Sequence, residues 1–252
     1  MEMTINSDDS PLASTLSWAL RRMKEAGYPI KSNVTIVVDP GLRFMGYAEK
    51  HGDTHYIVVA DWALDSEMLG GLVLHELAHI YYTEHDSPTH RSDITGEILQ
   101  EAIERDGLTE KETSSLTDAF NHLQNILVDD VVFASMTTKE VKLAERFFSE
   151  WVSEHPTGDS VVDASLMARN AFAIASLKRR GLADGLEDML AKNARFLSFF
   201  GEDARREFDE IEAFLEGATA GWSVDEFRKA LSTYLGIILF LMKSQRGLRD
   251  LR

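Results

Sequence analysis

Residues Gly70 to Tyr82 carry no charge except at one glutamate set between two histidines, His75-Glu76-Leu77-Ala78-His79. The pattern from Ser66 to about Tyr82 is helical, and a helix that is apolar all round is a buried one. Two imidazoles and a carboxylate inside such a helix need partners, because unpaired polar and charged groups are costly in an interior. Histidines four residues apart project from the same helix face, so the side chains of His75 and His79 can both reach one metal ion. Glu76 stands about a quarter-turn further round, able to touch a water on that ion without binding the ion itself. Zinc would bring the pKa of such a water toward neutrality, and Glu76 would take its proton and return it to a leaving amine. The competing readings are a pair of satisfied core histidines beside a salt-bridged glutamate, and a zinc site without activity.

Composition narrows the ligand set. The chain has no cysteine, which excludes disulfides, thiolate ligands and a cysteine nucleophile, so any metal must be held by His, Asp or Glu. Its 252 residues are 44% hydrophobic and 27% charged, an ordinary globular balance with enough chain for a sizeable core. The formal net charge of −16 and pI near 4.9 argue against nucleic acid and against anionic membrane surfaces, both of which need clustered Lys and Arg. Residues 1–11 are polar and acidic, and the most apolar run, 235–242, is far shorter than the roughly 20 residues of a membrane span. The expected setting is cytoplasmic.

The organisation reads as α+β. A helix is expected over 11–26, capped by Ser10 with Pro11 in its first turn and stopped at Gly27. Strands are expected at 34–38, 44–49 and 54–60, the last two joined by a hairpin tip at 50–53. After the motif helix come a polar loop over 85–92, a helix over 93–105, and a helical stretch from Thr109 to Thr137 with a break near Thr113. Beyond Thr137 no strand signal appears, and helices are expected near 139–153, 160–179, 183–199, 203–217 and 223–244. This gives a metal-binding catalytic domain over 1–137 and a helical domain over 138–252.

A catalytic zinc usually has three protein ligands, and three places compete for the third. His85 has the metzincin ligand spacing from the motif. That family has a glycine where this chain has Tyr82, and a tyrosine is poorly suited to the left-handed turn required there. The second place is the helix around Asn121 to Phe133, where Asp129 and Asp130 interrupt an apolar stretch. There Asn125 and Asp129 share a face, with His122 near it. This layout, with the leading helix and small sheet, resembles gluzincin-type zinc peptidases over roughly residues 10–137, and uncharacterised prokaryotic metallopeptidases of the same motif. The chain departs from that family in having Asn125 where a ligand glutamate is usual. The resemblance implies a zincin-like N-terminal half and favours Asp129 as ligand, whereas helical periodicity alone puts Asp130 nearer the apolar arc of Leu116, Leu123, Ile126 and Leu127. The third place is Glu97 or Glu101, some twenty residues past the motif.

Other features are less directive. His51 and His55 flank the hairpin tip and read as polar loop residues, while 54–60 is expected to be an exposed edge strand able to pair with a substrate peptide. Tyr81, Tyr82, His122 and Arg146 are candidates for stabilising an oxyanion, and nothing in the sequence chooses among them. In the helical half Phe147, Phe148, Trp151, Phe172, Phe196, Phe199 and Phe200 read as core, and the last helix, with Tyr234, Ile238 and Leu241, as core or a face for homo-oligomers. The expected activity is zinc-dependent hydrolysis of peptide or protein substrates. The metal is held by His75, His79 and Asp129, and Glu76 is the base. The alternative is a zinc-stabilised binding or regulatory protein with a silent site.

Overall fold

The structure is a computed structural model that describes residues 11–182 and 186–247, with side chains to 243. Ser10, the expected cap of the first helix, and residues 183–185, the expected start of another, lie outside the described residues. The fold is α+β: a leading helix, a three-stranded mixed sheet and a mostly helical remainder. Among the described residues no helix is long and apolar enough to cross a membrane. Internal contacts gather into two units, one of the described residues to His90 with Val128–Ala144, the other of Arg91–Leu127 with the described residues from Glu145 on. A division at 137/138 falls inside the second stretch of the first unit.

In the first unit, α1 (Pro11–Glu25) ends at Gly27, whose φ of 93° reverses the chain. The sheet is β1 (Asn33–Asp39), β2 (Gly46–His51) and β3 (Thr54–Ala60), in the order β1-β3-β2. β3 runs parallel to β1 and antiparallel to β2, with Ile36 opposite Ile57 and Ala48 opposite Ile57 on the two sides. The strand over 54–60 is therefore central and not the exposed edge its sequence suggested. Its Ile57, Val58, Val59 and Ala60 are all buried, as a strand covered on both faces requires. The same placement buries His55, read from sequence as a loop residue, while His51 is exposed beside Glu49. Gly46 sits where a Cβ would lie 2.7 Å from the Val58 carbonyl oxygen, so any larger residue would push β2 off its neighbour.

The motif helix α2 (Leu69–Glu84) packs on α1, β2 and β3 and buries Val73, Leu74, Leu77 and Ile80. It runs unbroken through Tyr82. The chain reverses only at Asp86, the one non-glycine residue with positive φ (50°) among the described residues. A turn of 3-10 helix at Pro88–His90 follows.

In the second unit lie α3 (Ser92–Asp106), the first part of α4 (Glu110–Ser135) and the last part of α5 (Thr138–Trp151). They are followed by α6 (Ser160–Lys178), α7 (Leu186–Leu197), α8 (Glu202–Gly217) and α9 (Val224–Gly247). α4 shows no break at Thr113. Thr109 and Glu112 form a reciprocal cap, with the Glu112 carboxylate accepting from the Thr109 amide at 2.9 Å, and the Thr113 amide already donates to the Thr109 carbonyl. α6 is buried nearly all round against α7, α8 and α9. Tyr234, Ile238 and Leu241 of α9 are buried in this core. Phe199, expected in the core, is 56% exposed, because α7 ends at Leu197 and leaves it in the following turn.

Candidate metal and proton-transfer site

On α2, His75 and His79 face each other with their Nε2 atoms 3.2 Å apart. Two imidazoles on one tetrahedral zinc at about 2.0–2.1 Å would have their nitrogens separated by about 3.3 Å. Each ring is also engaged on its other nitrogen. The Asp129 carboxylate from α4 lies 3.6 Å from Nδ1 of His75, and His90 presents its Nε2 at 2.9 Å from Nδ1 of His79. With protons on both Nδ1 atoms, the two Nε2 lone pairs point at one another, and such a pair requires a cation between them, a metal or a proton. The His75 side chain is 26% exposed, so the pair can be reached from solvent, whereas Asp129 is 7% exposed. Burial by itself would lower the pKa of His75, but Asp129 and the charge of Glu76 outweigh it and hold the pKa above its ordinary value.

Glu76 is buried on the same helix at 6% exposure. Burial raises its pKa, opposed by the charge of His75 and by the Ala48 amide, which donates to the carboxylate. Ala48 lies on β2, an edge of the sheet.

Of the two neighbouring aspartates, Asp129 is the buried one beside the motif and Asp130 is half-buried. His85 is turned away: its Nδ1 is 2.7 Å from the Tyr81 carbonyl oxygen and its Nε2 is 3.5 Å from Nζ of Lys31. The helix continuing through Tyr82 accounts for this, since the sharp turn that would bring His85 round is absent. Glu97 is in the second unit and accepts from Arg228 at 2.5 Å, while Glu101 is exposed. Asn125 and His122 also fall in the second unit, His122 stacked on Phe172 with ring centroids 5.0 Å apart. Tyr81 packs edge-on against Tyr28, Tyr82 stacks on His90 and Arg146 is exposed.

His90 is the residue that sequence reasoning missed. It lies within the polar loop expected over 85–92, at a spacing that matches no helix or known ligand pattern, and only the density of histidines between 75 and 90 hinted at it. Its ring is held by Thr89, whose Oγ1 is 2.8 Å from Nδ1, and Thr89 in turn contacts Oγ of Ser87 at 2.9 Å. Burial, with the charge of His75 adding to it, pushes its pKa down to about 4, which keeps the ring neutral at neutral pH.

Among the described residues no group of three or more His, Asp or Glu side chains is disposed to hold one metal ion. The two Nε2 atoms face each other with Asp129 behind His75 and His90 behind His79.

Comparison with curated proteins and with solved structures returns no match. One family model, described as a family of unknown function (DUF5781), matches residues 1–196, well over half of the 252. The span takes in the whole of the sheet, α2, Asp129 and His90, and the chain belongs to that family.

Proposed function

We propose that this protein is a zinc-dependent hydrolase of peptide bonds, with His75 and His79 as metal ligands and Glu76 as general base. The observation that carries the reading is the pair of Nε2 atoms 3.2 Å apart, each on a ring whose other nitrogen is engaged. Asp129 belongs to the site through His75. On the Nδ1 side of that ring its carboxylate favours the tautomer that leaves the Nε2 lone pair for the metal, an arrangement common behind zinc-bound histidines.

When bound, zinc would polarise a carbonyl and bring the pKa of water toward neutrality. The proton transfers fall to Glu76. Burial makes its carboxylate a better proton acceptor than an exposed glutamate. It takes a proton from the attacking water and delivers it to the leaving amine. The resemblance of the motif and its supporting helices to zincins of gluzincin type favours a peptide or protein substrate, and we assign the reaction to the cytoplasm.

A second reading is favoured by the two-histidine seat, one short of the three protein ligands usual at catalytic zinc. In it the metal stabilises a binding or regulatory protein. Proteolysis of unfolded protein substrates by the zinc-loaded chain separates the two. The first reading expects cleavage that falls by at least about 100-fold in Glu76→Gln with zinc content unchanged. Cleavage that survives Glu76→Gln removes Glu76 from the mechanism, and a zinc-loaded protein that cleaves nothing across a broad panel favours the second reading.

A further inference from the structure

His90 contacts one of the two proposed ligands, and its own ring is fixed from three directions. The chain reverses at Asp86, the Ser87 amide donates back to the Tyr82 carbonyl at 3.0 Å, and the His90 amide donates to the Ser87 carbonyl at 2.9 Å. This closes the 3-10 turn at Pro88–His90 over the end of α2. The ring lies flat on Tyr82, with centroids 5.2 Å apart and planes 20° from parallel. Tyr82 is three residues after His79 on the same helix, hence on the same face. At one edge of the ring Nδ1 meets the Thr89 hydroxyl at 2.8 Å, and at the other Nε2 meets Nδ1 of His79 at 2.9 Å.

With one proton on each ring, the contact between His79 and His90 can be made in two ways. In one, His90 donates from Nε2 to Nδ1 of His79, which places the His79 proton on Nε2 and blocks it as a ligand. In the other, His79 donates from Nδ1 to Nε2 of His90, and His90 donates from Nδ1 to the Thr89 hydroxyl. Only the second leaves the lone pair of His79 Nε2 facing His75.

We propose that His90 is a positioning residue that accepts the Nδ1 proton of His79 and so holds the Nε2 lone pair of His79 toward the metal seat. It does for His79 what Asp129 does for His75. The inference rests on the reading of His75 and His79 as a metal seat. It also gives Tyr82 a use: the aromatic face that prevents a sharp turn after His79 becomes the platform on which His90 is laid.

The test is zinc affinity of the full chain, wild type against His90→Phe and His90→Gln, with cobalt substitution to report the number of ligands. Phenylalanine keeps the stack on Tyr82 and removes the acceptor; the glutamine carbonyl can replace the acceptor. The expected result is one zinc in all three, about 10- to 100-fold weaker in His90→Phe and largely restored in His90→Gln, with the cobalt spectrum of all three unchanged in type. Nitrogen-15 spectra of the zinc-loaded wild type should show His90 protonated at Nδ1 and not at Nε2, a readout that does not depend on any variant folding. Wild-type protein that takes up no zinc overturns both this inference and the reading it rests on. Wild-type zinc binding with unchanged affinity in His90→Phe, or a proton on Nε2 of His90, overturns the role of His90 alone. A His90→Phe protein that melts like wild type, yet loses the metal altogether or shows a cobalt spectrum with one ligand fewer, makes His90 a ligand and overturns its positioning role.

Discussion

Single residues of the second unit show how burial without a partner is handled away from the candidate site. Nδ1 of His122 is buried with no hydrogen-bond partner, and burial, aided by the charge of Arg169, pushes its pKa down from 6.5 to about 4. The folded state therefore binds fewer protons than the unfolded state between those values, and stability falls as the pH drops through that window. Urea midpoints of the wild type should decline from pH 6.5 toward 4, and those of His122→Phe should decline less; parallel declines would contradict the assignment. Tyr234 is a milder case. Its hydroxyl is buried without a partner and its ring stacks on Phe214 with centroids 5.0 Å apart. Removing the hydroxyl removes an unpaid desolvation, so Tyr234→Phe is expected to be neutral or stabilising by up to about 1 kcal/mol in the same denaturation assay. A loss of stability would mean that the hydroxyl is paired in solution.

At the scale of elements, α2 and the sheet were legible because their patterns are strong and local. The charge-free run from Gly70 marked a buried helix, and Gly52-Asp53 turns the hairpin with φ of 60° at the glycine. The order of the strands was not legible, since strand 54–60 alternates weakly and its central place depends on pairing with β1, which is remote in sequence. The break expected near Thr113 failed for a local reason. Thr109-x-x-Glu112 is a capping box, repeated at Thr137-x-x-Glu140 and Ser223-x-x-Glu226, and it starts a helix where the polar residues alone suggested an interruption. Thr109→Ala should cost about 1 kcal/mol and lower the melting temperature, with amide exchange quickened at the first turn of α4; no change would show that the cap carries no weight. In the motif helix the cost is of another kind. Leu77 is wholly buried between the two histidines in sequence, and Leu77→Ala is expected to destabilise by about 2–5 kcal/mol through the cavity it leaves.

For the whole molecule, the candidate site is assembled from stretches that the linear sequence keeps apart. His75, Glu76 and His79 announced themselves by spacing, and Asp129 by being a carboxylate in an apolar helix. What Asp129 touches could not be read. Periodicity favoured Asp130, yet the chain buries Asp129 and sets it beside Nδ1 of His75, because the tertiary packing of α4 overrides the helix's own apolar arc. His90 was invisible for the same reason: its role is set by a reversal at Asp86 and a stack on Tyr82, neither of which leaves a periodic trace. All of these residues lie in the first unit. Zinc should therefore slow amide exchange in residues 11–90 and 128–144. At about 100 times its dissociation constant zinc would stabilise the folded state by about 2.7 kcal/mol, and a chelator would reverse the effect.

The most direct test of the central claim is a zinc titration of the metal-free full chain by equilibrium dialysis. The facing Nε2 atoms of His75 and His79 predict one equivalent of zinc in the wild type and in Glu76→Gln, and none in His79→Ala. A wild type that takes up no zinc, or a His79→Ala variant that binds it as the wild type does, would contradict the account.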